Sequence, residues 1–160
     1  MKNIFIVLTL VWFGFIANAF SADFDKGWDA AQSGDYATAL KEWRPLAEQG
    51  DAGAQNNLGA MYQNGVGVVQ DYKEARKWYR LSAEQGDFRA QTNMGLMYAN
   101  GLGAIEDKVL AHMWWNIAAS QGSESAKKNK DILVKEMTAS QIEEAQRLAR
   151  QCVSNNYKGC

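Results

Sequence analysis

Two short patterns in this sequence have the residue types of covalent catalysis or metal binding. Ser125 and Lys128 in SESAKKNK carry the S-x-x-K spacing in which a lysine activates a serine nucleophile. Cys152 and Cys160 close the chain in QCVSNNYKGC. The S-D-N and K-T-G companions of an S-x-x-K site are absent, so Ser125 and Lys128 read as the solvated face of a helix. His112 is the only histidine, which rules out a second histidine in any relay or metal set. Its expected place is the surface or rim of a helix. Glu143-Glu144 and Glu106-Asp107 are sequence neighbours, and a helix sends neighbours to different sides, so they read as caps and solubilising charge rather than an acid/base pair. Gly65-Val-Gly67 and Gly101-Leu-Gly103 follow a helix pattern rather than a strand, against a phosphate-cradling loop. No catalytic residue, no cofactor and no metal ligand are therefore expected.

The ends of the chain point to export. A polar start with Lys2 leads into the apolar run IFIVLTLVWFGFIA, residues 4 to 17, and a small-residue site at Ala17-Asn18-Ala19. Residues 1–21 are expected to be a signal peptide cleaved near Ala19 to Ala22, since the run is shorter than the roughly 20 residues a membrane helix needs. The expected location is periplasmic or secreted, with no stable membrane anchor after processing. In an exported chain an isolated even pair of cysteines most often forms a disulfide, so Cys152 and Cys160 are expected to tie down the tail; two free thiols or a metal pair are the alternative. The formal net charge is −1, and AKKNK at 126 to 130 is the densest basic cluster, so nucleic acid is not an expected partner.

Between the ends the chain repeats itself. Residues 51–86 laid over 87–122 without a gap give sixteen identities in thirty-six positions, among them Asp51/Asp87, Ala54/Ala90, Asn57/Asn93, Gly59/Gly95, Asp71/Asp107, Ala75/Ala111 and Trp78/Trp114. The period reaches back to Asp35, Ala39, Ala47 and Gly50, and weakly forward to Ala126 and Asn129. Each unit reads as two helices. In the first, Ala54, Asn57, Leu58, Met61 and Tyr62 recur at steps of three and four, and Asn64-Gly65 ends it. The second opens at Asp71 and presents Ala75, Trp78, Tyr79 and Ser82 on one face. Pro45 is expected to kink or loosen the second helix of the preceding pair. Such a pair buries its apolar face only by stacking on the next, so the repeated phrase is scaffold.

The pattern A-x-x-N-x-G-x-M-Y-x-x-G-x-G followed by D-x-x-x-A-x-x-W resembles the Sel-one-like repeat, a relative of the tetratricopeptide repeat. The fold expected is an all-α solenoid of about four antiparallel helix pairs: a tetratricopeptide-like pair over 22–50, Sel-one-like repeats over 51–86 and 87–122, and a degenerate capping repeat with the cysteine pair over 123–160. The resemblance implies an adaptor that binds a protein or peptide and performs no catalysis. It also offers an alternative: a cysteine-rich secreted branch of the family is described as penicillin-binding or β-lactamase-like. Cys152 and Cys160 have that branch's C-x7-C spacing, but the two complete repeats contain no cysteine. Stacked first helices line the concave surface in tetratricopeptide-like proteins. Positions there that differ between units are free to be specific, so Gln55, Asn56, Gln63, Arg89 and Thr92 are expected to border a peptide groove.

Overall fold

A computed structural model describes residues 22–160. The expected signal peptide lies outside the described residues. Eight α-helices follow in order: α1 (Phe24–Gln32), α2 (Tyr36–Glu48), α3 (Ala52–Asn64), α4 (Tyr72–Ala83), α5 (Phe88–Ala99), α6 (Lys108–Ser120), α7 (Glu124–Leu133) and α8 (Ala139–Ser154), with a 3-10 turn at Val134–Glu136. No strand occurs among the described residues. Each of α1 to α7 packs on its neighbours in sequence, which makes the chain a helical solenoid.

Aspartate starts the first six helices. Asp23, Asp35, Asp51, Asp71, Asp87 and Asp107 each accept backbone N–H groups of the first turn, supplying acceptors that the helix itself lacks there. Ser123 caps α7, and Thr138 forms a reciprocal capping box with Gln141 on α8. Gly65 ends α3 in the left-handed region at φ 67°, where a side chain would be strained. Pro45 lies inside α2, yet α2 continues to Glu48, and Gln49 N–H donates to the Pro45 carbonyl at 3.1 Å. The proline lies one turn from the helix end and does not interrupt α2.

The stack is made by small residues facing large ones. Ala39, Ala75 and Ala111 on the second helices, and Ala54, Ala90 and Ala126 on the first helices, are all fully buried at the thirty-six-residue period. Ala126 thus places α7 in the register of a fourth first helix. Within each of the first three pairs, a glycine lies beneath an aromatic ring: Gly27 under Trp43, Gly59 under Tyr79, Gly95 under Trp115. A Cβ on Gly59 would stand 2.5 Å from Tyr79 Cδ1, so only glycine permits this approach. The indoles add a polar tie, Trp43 Nε1 donating to the Phe24 carbonyl at 3.1 Å and Trp115 Nε1 to the Thr92 carbonyl at 3.0 Å.

The C-terminal end departs from the period. α8 packs on α6, so α6 is covered by α5, α7 and α8 together. His112 is consequently buried, at 2% exposure, and not at a rim. A helix enclosed on three sides has no wet face for that position, which α6's own sequence pattern does not reveal. Burial, with a smaller contribution from Lys130, pushes the His112 pKa below its ordinary value. Cys152 and Cys160 are joined in a disulfide with Cα atoms 5.5 Å apart. The loop it closes holds Asn156 and Tyr157 at positive φ, and the Tyr157 ring rests against Gly86 at the α4–α5 junction.

Candidate peptide-binding face

The first helices α3 and α5 are each tied to the ends of the second helices before and after them by side-chain hydrogen bonds that recur with the period. Gln55 Nε2 donates to the Ala47 carbonyl at 3.0 Å, and Gln85 Nε2 donates to Gln55 Oε1 at 2.8 Å. One unit on, Gln91 Nε2 donates to the Ala83 carbonyl at 3.3 Å, and Gln121 Nε2 to Gln91 Oε1 at 2.7 Å. Each glutamine therefore satisfies a helix-end carbonyl while a second glutamine satisfies it. Gln55 is buried at 4% exposure and works inside the stack. Its identity with Gln91 at the period was the sequence signal for that internal role.

The other expected groove residues divide. Asn56 is 8% exposed, and its Oδ1 accepts from Asn93 Nδ2 at 3.1 Å, joining α3 to α5. Thr92 is half-buried, with its hydroxyl donating to the Phe88 carbonyl at 2.7 Å and lying 3.0 Å from Ser123 Oγ, across to the cap of α7. Gln63 is half-buried on the last turn of α3, and its Oε1 is enclosed without a hydrogen-bond partner among the described residues. Arg89 is exposed at the start of α5 and paired with Asp87 at 2.6 Å, which holds its pKa above the ordinary arginine value. Of the five, Gln63, Arg89 and Thr92 keep surface toward solvent, whereas Gln55 and Asn56 are part of the stack.

An open notch lies beside this face, between α1 and α3. It has a volume of about 360 Å3, with Trp28 and Tyr36 at its rim and Trp43, Asn57, Met61 and Val66 among the residues that line it. None of its lining residues is charged. Sequence reading missed it because Trp28 has no aromatic equivalent in the later repeats, so the period gives no sign of it.

Ser125 and Lys128 are both exposed on α7. Ser125 Oγ lies 3.2 Å from Ser123 Oγ, a contact between two hydroxyls at a helix start. Among the described residues no three His, Cys, Asp or Glu side chains converge, and no helix is long and apolar enough to cross a membrane.

A stack of helix pairs, the first three each with a glycine under an aromatic ring and with aspartate caps on both helices, defines a helical-repeat solenoid. The Sel1 repeat model matches residues 52–87 and 88–123, so the chain carries two Sel1 repeats. It is similar to the crystal structure of a protective antigen present in uropathogenic Escherichia coli strains that displays an SLR fold: TM-score 0.77 and 30% identity, covering 82% of this chain and 30% of that one. A Sel1 repeat protein from Oxalobacter formigenes aligns with TM-score 0.68 and 32% identity, covering 71% of this chain and 47% of that one. This chain therefore spans less than half the length of either structure. No curated protein matches the sequence.

Proposed function

We propose that this chain is an exported scaffold that binds a protein or peptide segment on the face formed by α1, α3 and α5. The observation that carries the reading is the division among the period's polar residues. Gln55, Asn56, Gln91 and Asn93 are spent on joining one helix to the next. Positions that vary between units, Gln63 and Arg89, stay at the surface beside them. Sel1 repeats commonly serve as protein-interaction scaffolds, and an oxidised cysteine pair is compatible with a compartment outside the cytosol. A photoreactive residue at Gln63 in the full chain should crosslink one partner in the cell envelope or culture medium of the source organism. Arg89→Glu should abolish that product while leaving the helical circular dichroism unchanged. Crosslinking that is indifferent to Arg89→Glu would count against this face.

A further inference from the structure

We infer that the outward face of α7 is a contact for a second copy of this chain, with two α7 helices antiparallel about a two-fold axis that passes between residues 129 and 130. The proposal stands apart from the peptide-binding face, to which α7 does not belong.

The face is open because the fourth helix pair is never completed. Ala126 puts α7 in the register of a first helix, and in that register Asp131 stands thirty-six residues after Gly95. Gly59 and Gly95 lie beneath Tyr79 and Trp115, rings on the second helix of their own pair. Asp131 is instead exposed, and α8, the helix that would complete the pair, packs on α6. Burying a carboxylate beneath a ring without a partner is costly, so this position closes the stack to a further helix in register. Glu124, Lys127, Lys128, Asp131, Ile132 and Lys135 line the shallow groove left along α7, about 420 Å3 in volume, and all six are exposed.

The charges on this face have no ion-pair partner within the chain. Elsewhere oppositely charged neighbours on one helix pair with each other, as Glu74 with Lys77, Arg80 with Glu84 and Glu144 with Arg147. Glu124 and Lys128, and likewise Asp131 and Lys135, have the four-residue spacing for such a contact. Yet none of the four forms an ion pair among the described residues.

The order of these charges selects a second copy. Counted outward from the midpoint between residues 129 and 130, Lys128 and Asp131 stand at equal distances on opposite sides, and so do Glu124 and Lys135. Reversing one α7 against another therefore sets Lys128 against Asp131 and Glu124 against Lys135, and the two-fold makes each contact twice. A parallel pair in register would oppose like charges. At 1.5 Å per residue the contacts run along about 16 Å of helix. Ile132, 51% exposed, adds apolar area at the flank. Exposed ion pairs are individually weak and screened by salt, so the expected dimer is weak and falls apart as ionic strength rises.

The test is sedimentation equilibrium of the oxidised chain at low and high salt. The parent should dimerise, with a dissociation constant that rises at least tenfold between about 20 mM and about 500 mM salt. Lys128→Glu sets carboxylates against carboxylates and Asp131→Lys sets ammonium groups against ammonium groups, so each alone should weaken the dimer at least tenfold. An equimolar mixture of the two variants should associate within threefold of the parent, because every charge then meets its opposite across the axis. Both positions are exposed, so the helical circular dichroism should be unchanged. A parent that stays monomeric at millimolar concentration in low salt would overturn the proposal, as would a dimer indifferent to both substitutions. Failure of the mixture to recover would overturn the two-fold antiparallel arrangement. A photoreactive residue at Lys127 that traps another polypeptide and no second copy would give the face to that partner and overturn the self-contact. The crosslink from Gln63 decides the peptide-binding face separately.

Discussion

At the scale of single residues, burial separates groups that look alike in the sequence. Glu42 is 1% exposed, yet it is satisfied: its carboxylate pairs with Lys26 and accepts the Asp23 N–H at 3.1 Å, and these contacts hold its pKa below the usual carboxylate range. His112 is equally buried but has no partner at Nδ1 among the described residues. Its charged form is disfavoured in the folded state, so the unfolded chain binds the proton more readily. Stability attributable to His112 is therefore complete above the free-histidine value of about 6.5 and declines as pH falls below it. Urea melts at pH 7.5 and pH 5.5 should show the parent losing stability at the lower pH, and His112→Phe should lose less over the same interval. Equal losses would show that His112 is protonated without strain. Neither role was legible from the residue alone. A lone histidine on a helix reads as surface until the chain brings a third helix over it, and Lys26 and Glu42 lie too far apart in sequence for pairing rules within one helix to reach.

At the scale of elements, the thirty-six-residue period made most of the fold legible, because positions that must be small or must cap are the ones the period keeps. Gly59 and Gly95 were visible as repeats; the rings above them were less so, because Tyr79 faces Trp43 and Trp115 as a change of residue. The physical constraint is a large flat ring over a bare Cα, which several aromatics satisfy. Gly59→Ala should lower stability by about 1–2 kcal/mol in chemical denaturation, the overpacking against Tyr79 exceeding the helix propensity that alanine adds. A more stable variant would show that Tyr79 moves aside freely. The notch by Trp28 was illegible for the converse reason. It arises where the first pair breaks the pattern, by a shorter connection, and a pattern reports its exceptions only when the surrounding geometry is known.

At the scale of the whole molecule, the two ends of the stack are built differently. The α1 end has an aromatic rim at Trp28 and Tyr36, while α8 folds back on α6 and the disulfide holds the tail against the α4–α5 junction. Closing so short a loop removes unfolded-chain entropy equivalent to about 2.5 kcal/mol. Mild reduction, or Cys160→Ser, should lower stability by about that amount and leave the repeats folded; loss of all helical signal would mean that the tail organises the stack. The same bond has a mechanical meaning. Pulled from its last residue, the oxidised chain withholds the eight-residue separation between Cys152 and Cys160, at about 3.5 Å each, less the 5.5 Å the bond already spans. A reduced molecule should therefore stretch about 23 Å further before breaking, and tension applied at the C-terminus of the oxidised one enters at Cys152, directly into the last helix.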